Sequence, residues 1–394
     1  MRSCVVYTDQ IDDTEAAAAE LMEKALGAVA LQKNSVGLLY CYSDAEVDDL
    51  VRDVRMKADF PIIGCTCIAS MDNGGFHDIA AMLTVLTSDD HAFEVAVSEA
   101  LDADNAEARI TETYGALRQK LGEEPKLLYA IPPYILGIML DVYAERLGTL
   151  APGVPLVGGL PSYTGPGDSN CTFFEGEVYS DRLVLLGISG DVRPVFAVQN
   201  VAGSDVNRKR KVTKAVANTI FEVNGQPFVE YLQDVGLQVE QLVEGNTTVT
   251  FVSNPLLVEV PEGGNFVRTL HAIDSAAGSG TAIGRIPEGA TVSVCALDGA
   301  TIEGAAAEGM EAIKTRMAQN SGDGYAYTTV LAVSCIGRHL LLLPENHREA
   351  ARLQATLPEG LTLSGFYSYG ELGPQGTGRT QNFAHNESLI LCAF

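Results

Sequence analysis

The chain has no tryptophan, few basic residues and no apolar run long enough to span a bilayer. Its 26 lysines and arginines stand against 51 aspartates and glutamates, a formal net charge of −25. That balance argues against binding nucleic-acid phosphates or anionic lipid by bulk electrostatics, and it reads first as a solvated surface. The most apolar region, Leu127 to Leu140, is broken by Pro132-Pro133 and followed by Asp141, so it reads as a strand, a turn and a helix start. Membrane insertion is therefore not expected. The N-terminus, Arg2 to Thr8, lacks the apolar core and small-residue cleavage site of an export signal, and a cytoplasmic location is expected.

Other absences are chemical. No GxGxxG or GxxxxGK[ST] pattern stands between a strand and a helix, and Gly158-Gly159 runs into Pro161 and a loop, so no nucleotide site is expected. The 8 cysteines are dispersed. Cys65-Thr66-Cys67, near His77, has one residue between its thiols, a poor match to zinc spacing, and a strand would turn both thiols to one apolar face. Reduced, buried thiols without metal or other cofactor are the expectation. The basic run Arg208-Lys209-Arg210-Lys211 is short and reads as a solvated strand edge that discourages pairing.

What is present is patterned. With 394 residues, 46% of them hydrophobic and 20% charged, the chain has material for two or three domains with large cores. Strands and helices alternate, and one order recurs: strand, helix, glycine-ended strand, variable loop, apolar strand. It appears in residues 36–97, 126–188 and 329–394, where Pro61 to Gly64, Pro155 to Gly158 and Leu361 to Gly365 correspond. Glycines recurring at strand ends indicate tight turns or close backbone approach. The expected fold is mixed α/β: layered sheets with outer helices, built from divergent strand-helix-strand repeats. Residues 204–320 differ in texture. They read as short strands (Lys211 to Glu222, Val249 to Val252, Leu256 to Val260, Val267 to Ile273, Thr291 to Ala296) around a helix opened by Pro227. The composition shift near Val201 to Asp205 divides the chain into domains 1–202 and 203–394.

The stretch Gly365 to Pro374, a Gly/Gln/Thr loop that includes Arg379, and His385 to Phe394 together gather the most chemistry. Arg338 offers a planar fork for a carboxylate, Glu371 an acceptor for an ammonium, and Asn386 both functions. With Tyr367 as a wall, His385 nearby and the glycines Gly158-Gly159 leaving room, they read as a polar cleft for an amino acid or similar zwitterion. Arg338 can instead pair with Glu371, leaving His385-Asn386 as a turn. A third reading is a thiol-dependent enzyme, with Cys65 or Cys335 beside His385 or His77, and Arg338 three residues from Cys335. No catalytic set is assigned.

Several stretches resemble a known family. They are Pro61 to Thr66, Val212 to Ala215, Phe221 to Pro227, Phe266 to Arg268, Pro287 to Ala290, Ser334-Cys335-Ile336-Gly337-Arg338, Gly365 to Leu372 and His385 to Ser388. Together they resemble the FIST family, with an N-terminal FIST-like domain followed by a C-terminal one. The resemblance implies a signal-transduction module that senses small ligands, amino acids or their relatives being favoured, and Cys335 joins the candidate ligand-binding set. It implies no catalytic residues. The sequence departs from the pattern after Asn386, where a threonine is usual and Glu387-Ser388 stands. With no output segment recognised, a separate signalling partner is expected.

Overall fold

The computed structural model describes residues 1–163, 165, 170–200, 207–237, 239, 251–261, 264–322, 324–378 and 380–394. Among these residues, three six-stranded sheets share one strand order: edge strand, antiparallel strand, a central parallel pair, then a two-stranded hairpin. The parallel pairs are Asn34–Tyr42 with Ile62–Cys67, Leu127–Ile131 with Leu156–Gly159, and Thr329–Cys335 with Thr362–Ser368. These are the three repeats expected from the sequence. Their strands carry continuous apolar runs because both faces are covered.

The hairpins were not placed by the sequence pattern. Each leaves its own repeat and completes another sheet. Ser70–Asp72 and Gly75–His77 extend the third sheet, Thr172–Phe174 and Glu177–Tyr179 the first, and Glu371–Pro374 and Asn382–His385 the second. Strand Ala92–Val97 likewise belongs to the second sheet rather than to the first repeat's own. The exchange closes a ring, and side chains from all three sheets meet in one central core that includes Tyr40, Tyr129, Val333 and Phe366.

Two helices cover the outer face of each sheet. On the first, Thr14–Ala28 and Val47–Lys57 bury Leu21, Leu50, Val51 and Val54. Asp13 caps the former, accepting the Ala16 amide at 3.1 Å. Ala106–Leu121 and Leu140–Leu150 cover the second sheet, and Gly299–Asn320 and Arg348–Thr356 the third.

Glycine is required where the parallel strands approach closest. A Cβ at Gly64 would fall on the Leu39 carbonyl, one at Gly158 on that of Ala130, and one at Gly365 on that of Ala332. Each carbonyl belongs to the glycine's register partner across the parallel pair.

Between the second and third repeats, the described strands within residues 210–294 form an eight-stranded sheet, an inserted domain with its own core around Phe228, Tyr231, Val258 and Phe266. Arg268 anchors it to the ring. The guanidinium is buried, bonded to Asp141 (3.0 Å) and to the Ala384 carbonyl (2.9 Å), between the rings of Phe266 and Phe383.

Some local expectations change. The helix expected from Ile135 starts at Leu140, and the one expected from Glu345 starts at Arg348. A short helix, Ile336–Leu342, follows Cys335 directly. Lys211 to Glu222 is a hairpin, Arg210–Val216 and Thr219–Val223, turning at Ala217. Strand Arg210–Val216 lies inside its sheet rather than at an edge; Lys209 and Arg210 face Glu259 and Asp234. Of the strand expected at Val249 to Val252, Phe251 and Val252 are helical, and the rest lies outside the described residues, as do Arg379 and the Val201 to Asp205 boundary.

Candidate functional site

The parallel strands of the first and third sheets end on one side of the ring. Tyr42 and Cys335 close their strands, while Ile68 and Tyr369 directly follow theirs. Together they line a cavity of about 690 Å³, which Phe251, Thr269, Leu270, His271 and Ile283 from the inserted domain also line. Carboxyl ends of parallel strands are where such sheets present groups to ligands. The walls are mainly apolar and aromatic. The Tyr369 hydroxyl donates to the Tyr163 carbonyl at 2.9 Å, and the two rings meet edge to face at 5.2 Å.

Glu387 forms the floor. It lies in the tight link between strands Asn382–His385 and Leu389–Ala393, in the left-handed region with φ 50°. A non-glycine residue held there costs on the order of 1–3 kcal/mol, so the surroundings must impose it. Its carboxylate is almost wholly buried: Oε1 accepts the Thr269 hydroxyl at 3.0 Å, and Oε2 has no partner. Gly337 makes room for it, because a Cβ there would strike both carboxylate oxygens. Burial pushes the Glu387 carboxyl up to about 7, moderated by the Thr269 bond and the charge of Arg338. Beside it, Asn386 donates to the His385 carbonyl through Nδ2, leaving its own buried Oδ1 without a partner.

Of the residues expected from the sequence, Cys335 and Asn386 line the cavity. The others stand behind it. Arg338 does not meet Glu371: it is fully buried against Glu349, with Nε at 2.8 Å and Nη2 at 2.5 Å from Oε1. Ser334 holds the other Glu349 oxygen at 2.7 Å. Glu371 accepts the Ser388 amide at 3.2 Å, and burial, then the nearby Glu387, raise its pKa well above the carboxylate range. His385 donates through Nε2 to the Pro374 carbonyl at 2.9 Å, and burial lowers its pKa to about 3, so it is neutral. The Tyr367 ring packs near His339 and Phe76, its hydroxyl buried. Gly158 and Gly159 pair with Leu372 and Glu371 across strands, so their missing side chains admit the neighbouring chain rather than a ligand.

The thiol reading meets opposing electrostatics. Burial pushes the Cys335 thiol well up, and Glu371 and Glu387 push it further, the reverse of what a thiolate nucleophile requires. Cys65 sits in the central core with its pKa raised by burial, and His77 is bonded to Asp72 at 2.8 Å. None of the eight cysteines is joined in a disulfide.

Sequence reasoning missed Glu349 and Thr269, and it noted Glu387 only as a departure from a pattern. That departure was the available signal for the cavity floor.

The FIST N domain family model matches residues 35–226, and the FIST C domain model matches residues 227–374. The second match ends before the Asn386-Glu387 link. No curated protein matches the sequence. Among solved structures, the crystal structure of cyanuric acid hydrolase from A. caulinodans is similar at 9% identity and a TM-score of 0.39, covering 99% of this chain and 98% of that one. A likeness that distant bears on neither chemistry nor ligand. Among the described residues, no helix is long and apolar enough to cross a membrane.

Proposed function

Since the chain belongs to the FIST family, whose domains are sensory domains of signalling proteins, we propose that the cavity at the strand ends is its sensing site. It takes an amino acid or related metabolite through that ligand's ammonium group. The observation carrying this reading is the pair of buried acceptors without partners, Glu387 Oε2 and Asn386 Oδ1, in two residues that line a cavity of ligand size with mainly apolar walls. An ammonium brings three donors and a compensating charge. The cavity is walled by the ring and by the inserted domain, so a ligand touching both favours the arrangement in which both reach it. A separate partner protein that reads this arrangement completes the signal path.

A thermal-shift screen of amino acids and amines, followed by calorimetry, tests this. Specific ligands are expected to raise the melting temperature by mass action. Failure of every compound to bind saturably would remove the sensing reading.

The pH dependence follows from Glu387. Its carboxyl pKa is raised in the folded chain, so its stabilising contribution is complete below the ordinary value near 4.5 and is lost as pH rises through about 7. That loss amounts to ~3 kcal/mol. Unliganded protein is therefore expected to be less stable at pH 8 than at pH 5 by this group's share, and Glu387→Gln to flatten that slope in urea melts. Cation binding runs the other way, because the carboxyl must ionise first. Ligand affinity should fall up to about tenfold per pH unit below 7. Affinity unchanged between pH 5.5 and 8 would show that Glu387 does not hold the ligand.

A further inference from the structure

Resting on that reading of the cavity, we infer that the ligand is an organic cation without a neighbouring carboxylate, an amine rather than the matching zwitterionic amino acid. The charges facing the cavity carry the argument. Among the described lining residues, the acidic groups are Glu387 at the floor and Asp78, and there is no lysine or arginine. The two imidazoles are His271 and His339. His339 packs against Phe76 and Tyr367 and is kept neutral by burial. His271 is exposed.

The guanidinium whose charge acts on Glu387 is that of Arg338, and it is held elsewhere through two of its three nitrogens, with Nη1 buried and unpartnered. It has no exposed surface, does not line the cavity, and is held through Nε and Nη2 by Glu349, with the Ile302 carbonyl at 3.3 Å. Beside the side chains of Asn346 and His271, the backbone at Ile336-Gly337 is a place where a ligand carboxylate would seek donors. Glu387's own carboxylate already lies there, in the space the missing Gly337 side chain leaves. A zwitterion entering with its ammonium on Glu387 would carry its carboxylate along a mainly apolar wall that also holds Asp78, with no lysine or arginine to meet it and His271 standing open to solvent. An amine with an apolar body meets the opposite situation. Its charge reaches Glu387 and Asn386, and its body packs among Leu270, Tyr42, Phe251 and Tyr369, the last three presenting aromatic rings that also favour a cation.

The test uses the full chain and matched pairs differing only by the α-carboxylate: phenethylamine with phenylalanine, tyramine with tyrosine, cadaverine with lysine. Titration calorimetry at pH 8 is expected to show at least one amine binding about tenfold or more tighter than its amino acid, and Glu387→Gln weakening it by about tenfold or more. Ile283→Arg supplies the missing cation at the cavity wall and is expected to narrow the gap by improving the amino acid. Equal or tighter binding of the amino acids overturns the inference while leaving the sensing site standing. Amine binding that survives Glu387→Gln unchanged also overturns it. If neither member of any pair binds saturably, the sensing site itself fails, and the inference with it.

Discussion

Gly158→Ala is expected to prevent the protein from folding. The new Cβ would coincide with the Ala130 carbonyl on the parallel partner strand, and φ at this position is 144°, a value side chains other than glycine's rarely adopt. Neither neighbour can yield, since both belong to the central pair of the second sheet and are fully buried. Relieving the overlap means separating the two strands and opening the core where the three sheets meet. The expected cost exceeds 4 kcal/mol, a large share of the roughly 5–15 kcal/mol that holds an ordinary domain together. Gly64→Ala should behave alike, because it meets the Leu39 carbonyl in the first sheet. Gly115→Ala is the control. It lies in helix Ala106–Leu121 with nothing near its would-be Cβ, and should gain about 0.5–1 kcal/mol. Soluble yield and urea melts followed by circular dichroism separate the three. A cooperative Gly158→Ala melt within about 1 kcal/mol of the parent would show that glycine is not required there.

Arg338→Ala is expected to destabilise the fold by about 3–5 kcal/mol while changing ligand affinity by less than about tenfold, since Arg338 does not line the cavity and acts on it only through its charge near Glu387. The substitution strands the Glu349 carboxylate, which has no exposed surface, with only the Ser334 hydroxyl. Removing both charges together, as Arg338→Met with Glu349→Leu, should recover most of the loss, because an apolar pair of similar volume carries no desolvation penalty. Melting temperature and ligand titration on the same proteins decide the matter. An affinity loss of about tenfold with an unchanged melting temperature would return Arg338 to the binding site that its sequence position suggested.

The two substitutions differ in how visible they were beforehand. Gly64, Gly158 and Gly365 could be aligned from the chain alone, because a strand that ends in glycine leaves a local mark. Arg338 could not be assigned a partner. Glu371 was the candidate in the repeat's own logic, while Glu349, on helix Arg348–Thr356, carries no mark in the sequence that sets it apart from the chain's other acids. Its burial depends on that helix packing against Gly299–Asn320 and the third sheet, contacts that no local pattern encodes.

The site divides in the same way. Cys335 and Asn386 were legible as strand-end residues in a stretch dense with polar groups, and both line the cavity. His385 and Tyr367 shared that stretch, yet strand pleating and the exchanged hairpin direct them into the interior.

The sequence by itself determined the periodic elements: three strand-helix-strand repeats, the glycines that let their parallel strands close up, the differently textured insertion, and the family. These are consequences of local spacing and backbone freedom, which act over a few residues. Only the tertiary structure decided that hairpin Ser70 to His77 pairs with Thr362–Ser368, far along the chain, that Arg338 is spent on Glu349, and that Thr269 of the inserted domain meets Glu387. Those outcomes turn on which buried surfaces meet. A carboxylate's meaning is set by the low-dielectric space and the partners that enclose it, and Glu387 acquires its raised pKa and its unpartnered oxygen only when three distant segments close around it.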